Sequence, residues 1–226
     1  MHSRITKKKI LKILSKVIGE NYNESINIKG NNFIGFFKWD ENIDDSKKLK
    51  KSQKCSIAIN YFKKYFKEHF ESIIIATSLV VDDRMLKKNQ LEYMLAFKTF
   101  ILPLNYNFIF ADDSNNYIEG VDYDDISHSY NEIISSFRVF FKFNFNDISN
   151  LSAVCMNSKI LSSNSGFLFF IIPSLDIIIY PHDDIGYGCL SITNGRLNNI
   201  GENFIKGIIE EDGYWSFEIN NNLINL

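Results

Sequence analysis

The sequence is poor in the residues and motifs that usually announce a chemistry. It has three cysteines, Cys55, Cys155 and Cys189, an odd and widely spaced set with no CxxC pair. That excludes a disulfide framework and gives no thiolate metal motif; free thiols of this kind fit a reducing compartment. The four histidines, His2, His69, His128 and His182, are all far apart in sequence, whereas zinc sites draw on clustered Cys and His. No Gly-x4-Gly-Lys-Ser/Thr loop, no GxGxxG and no Gly-x-Ser-x-Gly elbow occurs. Gly186-Tyr187-Gly188 is a lone GxG without a third glycine, and reads as turn geometry. No cofactor and no metal is expected.

Charge of one sign is also missing. The formal net charge is -2 and the pI about 6.1, far from the strongly basic footprint of nucleic-acid binders. A membrane-spanning helix needs about 20 consecutive apolar residues. The run at 73–81 is too short, and 167–180 is interrupted by Pro173, Ser174 and Asp176. The start of the chain is basic and then amphipathic, without the apolar core or cleavage site of a secretory signal. These absences together make a cytoplasmic location the expectation.

What is present is core material. The chain has 226 residues, 45% of them hydrophobic and 15% aromatic. A globular chain of this size buries roughly 70% of the surface that its unfolded form exposes. Hydrophobic content this high with so little net charge excludes intrinsic disorder.

Periodicity then predicts elements. Residues 4–18 read as an amphipathic helix with lysines on its outer side. Residues 25–29 and 33–39 read as strands joined by Gly30-Asn31-Asn32, and 40–54 as a polar loop. A helix is expected at 53–70 with Ser52 at its N-cap, and a buried strand at 72–80. Residues 84–102 suggest a helix stopped by Pro103, and 105–110 a strand. Alternating Phe137, Val139, Phe141, Phe143 and Phe145 mark 132–145 as a half-buried strand. A short helix at 147–156 follows. Strands at 166–172 and 175–180 meet at Pro173-Ser174, 181–186 is a turn, and 187–192 is a strand. A helix at 194–210 and a strand at 214–219 complete the pattern.

Helices and adjacent strands mix without strict βαβ alternation. That predicts an α+β fold with a mixed or antiparallel sheet and packed helices. One domain over 1–226 is expected, with 1–50 as an N-terminal helix-hairpin appendage and 51–226 as the main body.

Local charge offers the candidate sites. His182-Asp183-Asp184 stands at a strand end, where a histidine beside carboxylates suits acid–base work or a divalent ion. The plainer reading is a turn whose Asp side chains bond nearby N–H groups. Cys155 or Cys189 with His128 or His182 makes a nucleophile pair on paper, against which stands the apolar setting of a core thiol. Acidic groups recur at Asp122, Asp124, Asp125, Asp183 and Asp184, with Tyr123 and Tyr187 beside them. Complementary charge steers a basic partner and fixes its orientation, and aromatic rings serve as anchors. These seven residues are the expected protein-binding set. The lysines of 7–16 are either a solvated face or a nucleic-acid contact.

The stretch 167–186, FLFFIIPSLDIIIYPHDDIG, resembles an uncharacterised bacterial family, the domain of unknown function 3885. In that family an apolar strand, a proline turn and a second apolar strand lead into a Tyr-Asp-Asp-Arg-Gly turn, then a strand and a helix. Asp183, Asp184 and Gly186 match that turn, whereas His182 stands for its tyrosine and Ile185 for its arginine. The helix and strand at 53–80 also look like the family's earlier portion. Some members look like immunity proteins of polymorphic or contact-dependent toxins. The resemblance thus implies a non-enzymatic role: binding and neutralising a cognate toxin domain, such as a basic nuclease, by occluding its active site. The alternatives are an enzyme centred on His182 and Asp184, or nucleic-acid binding through the basic N-terminal helix.

Overall fold

The computed structural model describes residues 5–19, 32–40, 49–78, 137–157, 167–193 and 198–220. Their order is α1 (Lys7–Gly19), β1 (Phe33–Trp39), α2 (Lys51–Tyr65), β2 (Ile74–Thr77), β3 (Arg138–Phe140), α3 (Phe145–Asn157), β4 (Leu168–Ile172), β5 (Ile177–His182), β6 (Gly186–Ser191), α4 (Asn199–Gly207) and β7 (Trp215–Ile219). The seven strands form one sheet in the order β3-β2-β4-β5-β6-β1-β7. Every neighbouring pair is antiparallel. The fold is α+β.

Side-chain alternation divides the sheet into two packed faces. On one, Ile75, Phe170, Ile172, Ile177, Ile179, Tyr187 and Cys189 join Phe62 of α2, Val154 of α3 and Phe204 of α4 in a single core. On the other, Ile74, Ala76, Phe169, Ile171, Ile178 and Leu190 pack with Ile10, Leu14, Val17 and Ile18 of α1. Because β4 and β5 are covered on both faces, they read as unbroken apolar runs rather than alternating ones. A register shift between Phe33 and Gly35 turns Ile34 and Phe37 to the same face, as a bulge does.

Phe204 is the hub of the larger core. It is fully buried, and the rings of Phe66, Tyr65, Tyr61 and Phe37 stand 4.9, 5.2, 5.3 and 5.5 Å from its own. The Tyr61 hydroxyl also donates to the Phe204 carbonyl at 2.6 Å, tying α2 to α4.

Three expectations change. The half-buried strand at 132–145 is only Arg138–Phe140 among the described residues, and Phe141 is 44% exposed. The reason is a helix start: Asn144 Oδ1 accepts from the Asn146 and Asp147 amides at 2.9 and 3.1 Å, and Asp147 Oδ2 accepts from the Asn144 amide at 2.7 Å. This reciprocal cap commits Phe145 to α3 and overrides the aromatic alternation. The N-cap of α2 is Lys50 rather than Ser52, with Gln53 Oε1 accepting from the Lys50 amide at 2.8 Å. Finally, β1 lies inside the sheet between β6 and β7. Residues 33–39 are therefore part of the main body and not of an appendage. The expected strands at 25–29 and 105–110 and the helix at 84–102 lie outside the described residues.

Candidate functional site

The β5–β6 turn carries the candidate chemistry. Asp183 and Asp184 occupy its tip and are exposed, whereas the next residue, Ile185, turns its side chain into the core. Ile185 has φ 58°, a conformation that costs a β-branched residue of the order of 1–3 kcal/mol and persists only when its surroundings over-determine it. Here the surroundings are the buried side chain and the adjacent strand. The Trp39 amide donates to Ile185 O at 3.1 Å and approaches Asp184 O at 3.4 Å. Lys38 Nζ stands 3.9 Å from Asp184 Oδ2, an exposed pair of small energetic weight.

His182 is part of this frame. Its Nε2 lies 3.0 Å from the Phe37 carbonyl, which fixes that nitrogen as the N–H donor. The ring packs edge-on to Phe36 at 5.9 Å and beside Tyr180 at 6.4 Å. Burial holds its proton affinity below the usual histidine range, opposed by the attraction of Asp184 and Asp183. The imidazole is thus neutral at pH 7 and engaged with backbone. Asp184 points to solvent and to Lys38, so the two are not assembled as an acid–base pair.

Tyr187 needs correction. It is fully buried on the helix-covered face, stacked on Phe62 at 5.0 Å and edge-on to Phe37 at 6.0 Å. Residue 187 lies three positions beyond Asp184 in a strand buried on both faces, so it is not a surface anchor. Its hydroxyl lies close to Ser152 of α3, yet neither oxygen reaches hydrogen-bond geometry with any partner. Asp122, Tyr123, Asp124 and Asp125 lie outside the described residues, as does His128.

The thiols are core groups. Cys55 and Cys189 are buried, and burial pushes the Cys189 thiol well above its ordinary value. Cys155 is raised to about 12, mainly by burial and further by the Asp183 charge. Among the described residues nothing activates Cys155 or Cys189 as a nucleophile, which requires a lowered thiol in electropositive surroundings. Among the described residues no group of three or more His, Cys, Asp or Glu side chains is placed to hold a metal ion. No helix among them is long and apolar enough to cross a membrane. Along α1, Lys7, Lys8, Lys9, Lys12 and Lys16 are exposed while Ile10, Leu14 and Val17 are buried.

Sequence reasoning missed the partner of His182, because Phe37 is 145 residues away in the chain. It also misread the two glycines of β6. A Cβ at residue 186 would stand 1.9 Å from the Phe37 carbonyl oxygen, and one at 188 would stand 2.0 Å from the Tyr180 ring. Gly186-Tyr187-Gly188 is a strand segment over which neighbouring groups lie. Searches of known proteins return no matching family, no matching curated protein and no matching solved structure.

Proposed function

We propose that this protein is a binding module that neutralises a cognate bacterial toxin domain, and that the Asp183–Asp184 turn is a contact point for a basic partner. The observation that carries this reading is the held geometry of the turn. Two exposed carboxylates sit on a backbone fixed from β1 and by the buried Ile185 side chain. A preorganised charged turn loses little conformational freedom on binding. Its charge raises association rate and fixes orientation. The resemblance at 167–186 supports the toxin-immunity role, since Asp183 and Asp184 form this turn and Gly186 opens the strand that leaves it. The engaged, neutral His182 gives an enzymatic reading little support.

The test is capture of a partner from lysate of the native host by the immobilised full chain. A single stoichiometric basic protein, retained at moderate salt and lost with Asp183→Lys/Asp184→Lys, is the expected result. A partner indifferent to that charge reversal removes this turn from the interface.

A further inference from the structure

Lys7, Lys8, Lys9, Lys12 and Lys16 stand exposed on α1, and the helix contains no acidic residue. At 3.6 residues per turn, Lys8, Lys9, Lys12 and Lys16 fall within about 100° of arc. They lie opposite Ile10, Leu14, Val17 and Ile18, which are buried against the sheet. The row from Lys8 to Lys16 is about 12 Å long at 1.5 Å per residue. Folding does not favour this arrangement. Lys7, Lys8 and Lys9 open the helix, at the end where its dipole repels cations and attracts anions. Lys8 and Lys12, and Lys12 and Lys16, are like charges four residues apart, which repel. Lysines of other helices are engaged: Lys64 with Glu211, Lys206 with Glu202, Lys54 over the Trp39 ring and Lys63 over the Phe145 ring. Among the described residues, none of the five α1 lysines takes part in an ion pair. Breaches of local rules without a compensating contact concentrate at functional sites.

We infer that the outer face of α1 is a docking surface for the phosphate backbone of a nucleic-acid duplex. With a net charge of -2 the whole chain exerts no general attraction on a polyanion, so the contact is local to this face. Phosphates follow one another every 3.4 Å or so along each strand, and a row of about 12 Å meets about three to four of them. The positive end of the helix dipole adds to the attraction. Other occupants fit less well. A membrane surface takes up the apolar face of an amphipathic helix, and here that face is already buried on the sheet. A single strand is held by aromatic rings that stack its bases, and α1 contains none. Protein interfaces build their cores from aromatic, Met and Arg side chains and are depleted of lysine. Lysine is a point charge without the forked geometry that reads a base edge. Contacts of this kind position a protein on a duplex and do not select a sequence. The inference does not depend on the Asp183–Asp184 turn, which lies on other elements.

The test titrates the full chain into a labelled DNA duplex and follows fluorescence anisotropy from about 50 to 200 mM salt. Each phosphate contact contributes about 0.9 to the slope of log affinity against log salt, so the wild type should show a slope of about -3 and lose affinity roughly 60-fold over that range. Lys8→Gln/Lys12→Gln/Lys16→Gln should remove most of this slope and weaken binding to every duplex sequence alike. Lys8→Arg/Lys12→Arg/Lys16→Arg, which keeps the charge, should bind as the wild type does. Lys51→Gln/Lys67→Gln/Lys142→Gln makes the same change in net charge at exposed positions elsewhere and should change binding little. No binding at the lowest salt, an Arg variant that does not bind, or a control triple that loses as much as the α1 triple would each overturn the inference. Tighter binding to phosphatidylserine vesicles, or to a single strand of the same length, would assign the surface to another occupant and overturn it as well.

Discussion

The ring of Tyr180 lies across Gly188, its directly opposed residue on the neighbouring strand. A Cβ at 188 would meet Tyr180 Cζ at 2.0 Å and the hydroxyl oxygen at 2.2 Å. The glycine is therefore a space that the tyrosine fills. The burial that results pushes the phenol above its ordinary value.

Gly188→Ala should evict that ring and cost about 1–3 kcal/mol, as overpacking does. Tyr180→Ala in the same chain should remove most of this cost, because the methyl group then has room. A double-mutant cycle by urea unfolding measures the coupling. Additive effects would mean that the ring does not occupy the glycine's space.

Phe204→Ala should be among the most damaging single changes, at about 3–5 kcal/mol. The site is enclosed by rings from α2 and β1 and has no route to collapse. Ile209→Ala, at a position 60% exposed, should stay within about 0.5 kcal/mol of wild type. Thermal unfolding of the two proteins side by side checks the contrast.

The cap of α3 should behave as a unit. Asn144→Ala and Asp147→Ala should each cost about 1 kcal/mol. The double variant should cost less than the sum, because each substitution breaks part of one reciprocal arrangement. Strict additivity in chemical denaturation would count against that arrangement.

The folded protein should react slowly with a thiol reagent at pH 8. Cys155, held at about 12, has roughly one thiolate in 10,000 at that pH. Cys55 and Cys189 are buried outright. Denaturant should release three thiols to rapid labelling. One fast thiol in the native state would contradict the core placement.

Global stability should fall between pH 7 and pH 5 by a His182-dependent amount. The folded state keeps this imidazole neutral, so the unfolded chain takes up its proton first as pH drops below 6.5. The difference between wild type and His182→Gln in urea midpoints should widen at neutral pH and narrow in acid. A difference independent of pH would exclude the linkage.

The sequence by itself determined the fold class and most of the element types. Apolar runs at 168–172 and 177–182 with a proline between them made the paired strands legible, because β-branched and aromatic residues suit a buried pleat. The lysine-backed stripe of Ile10, Leu14 and Val17 made α1 legible through its 3.6-residue period. The Pro181-His182-Asp183-Asp184 stretch made the turn legible, because proline and aspartate suit turn backbone. Local pattern failed at 132–145, where a side-chain cap outcompeted alternation, and at Tyr187, where proximity to the acidic tip said nothing of facing. A strand residue's face depends on what covers each side of the sheet, which periodicity in an all-apolar strand cannot encode. Only the tertiary structure decided that β1 enters the sheet beside β6, that Gly186 and Gly188 are spaces filled by neighbouring groups, and that His182 reaches Phe37. Tyr180 and Gly188 meet through the register of one hairpin, whereas the relationships with β1 join segments as far apart as the 145 residues between Phe37 and His182, and their physical cause is strand order, which no local sequence window contains.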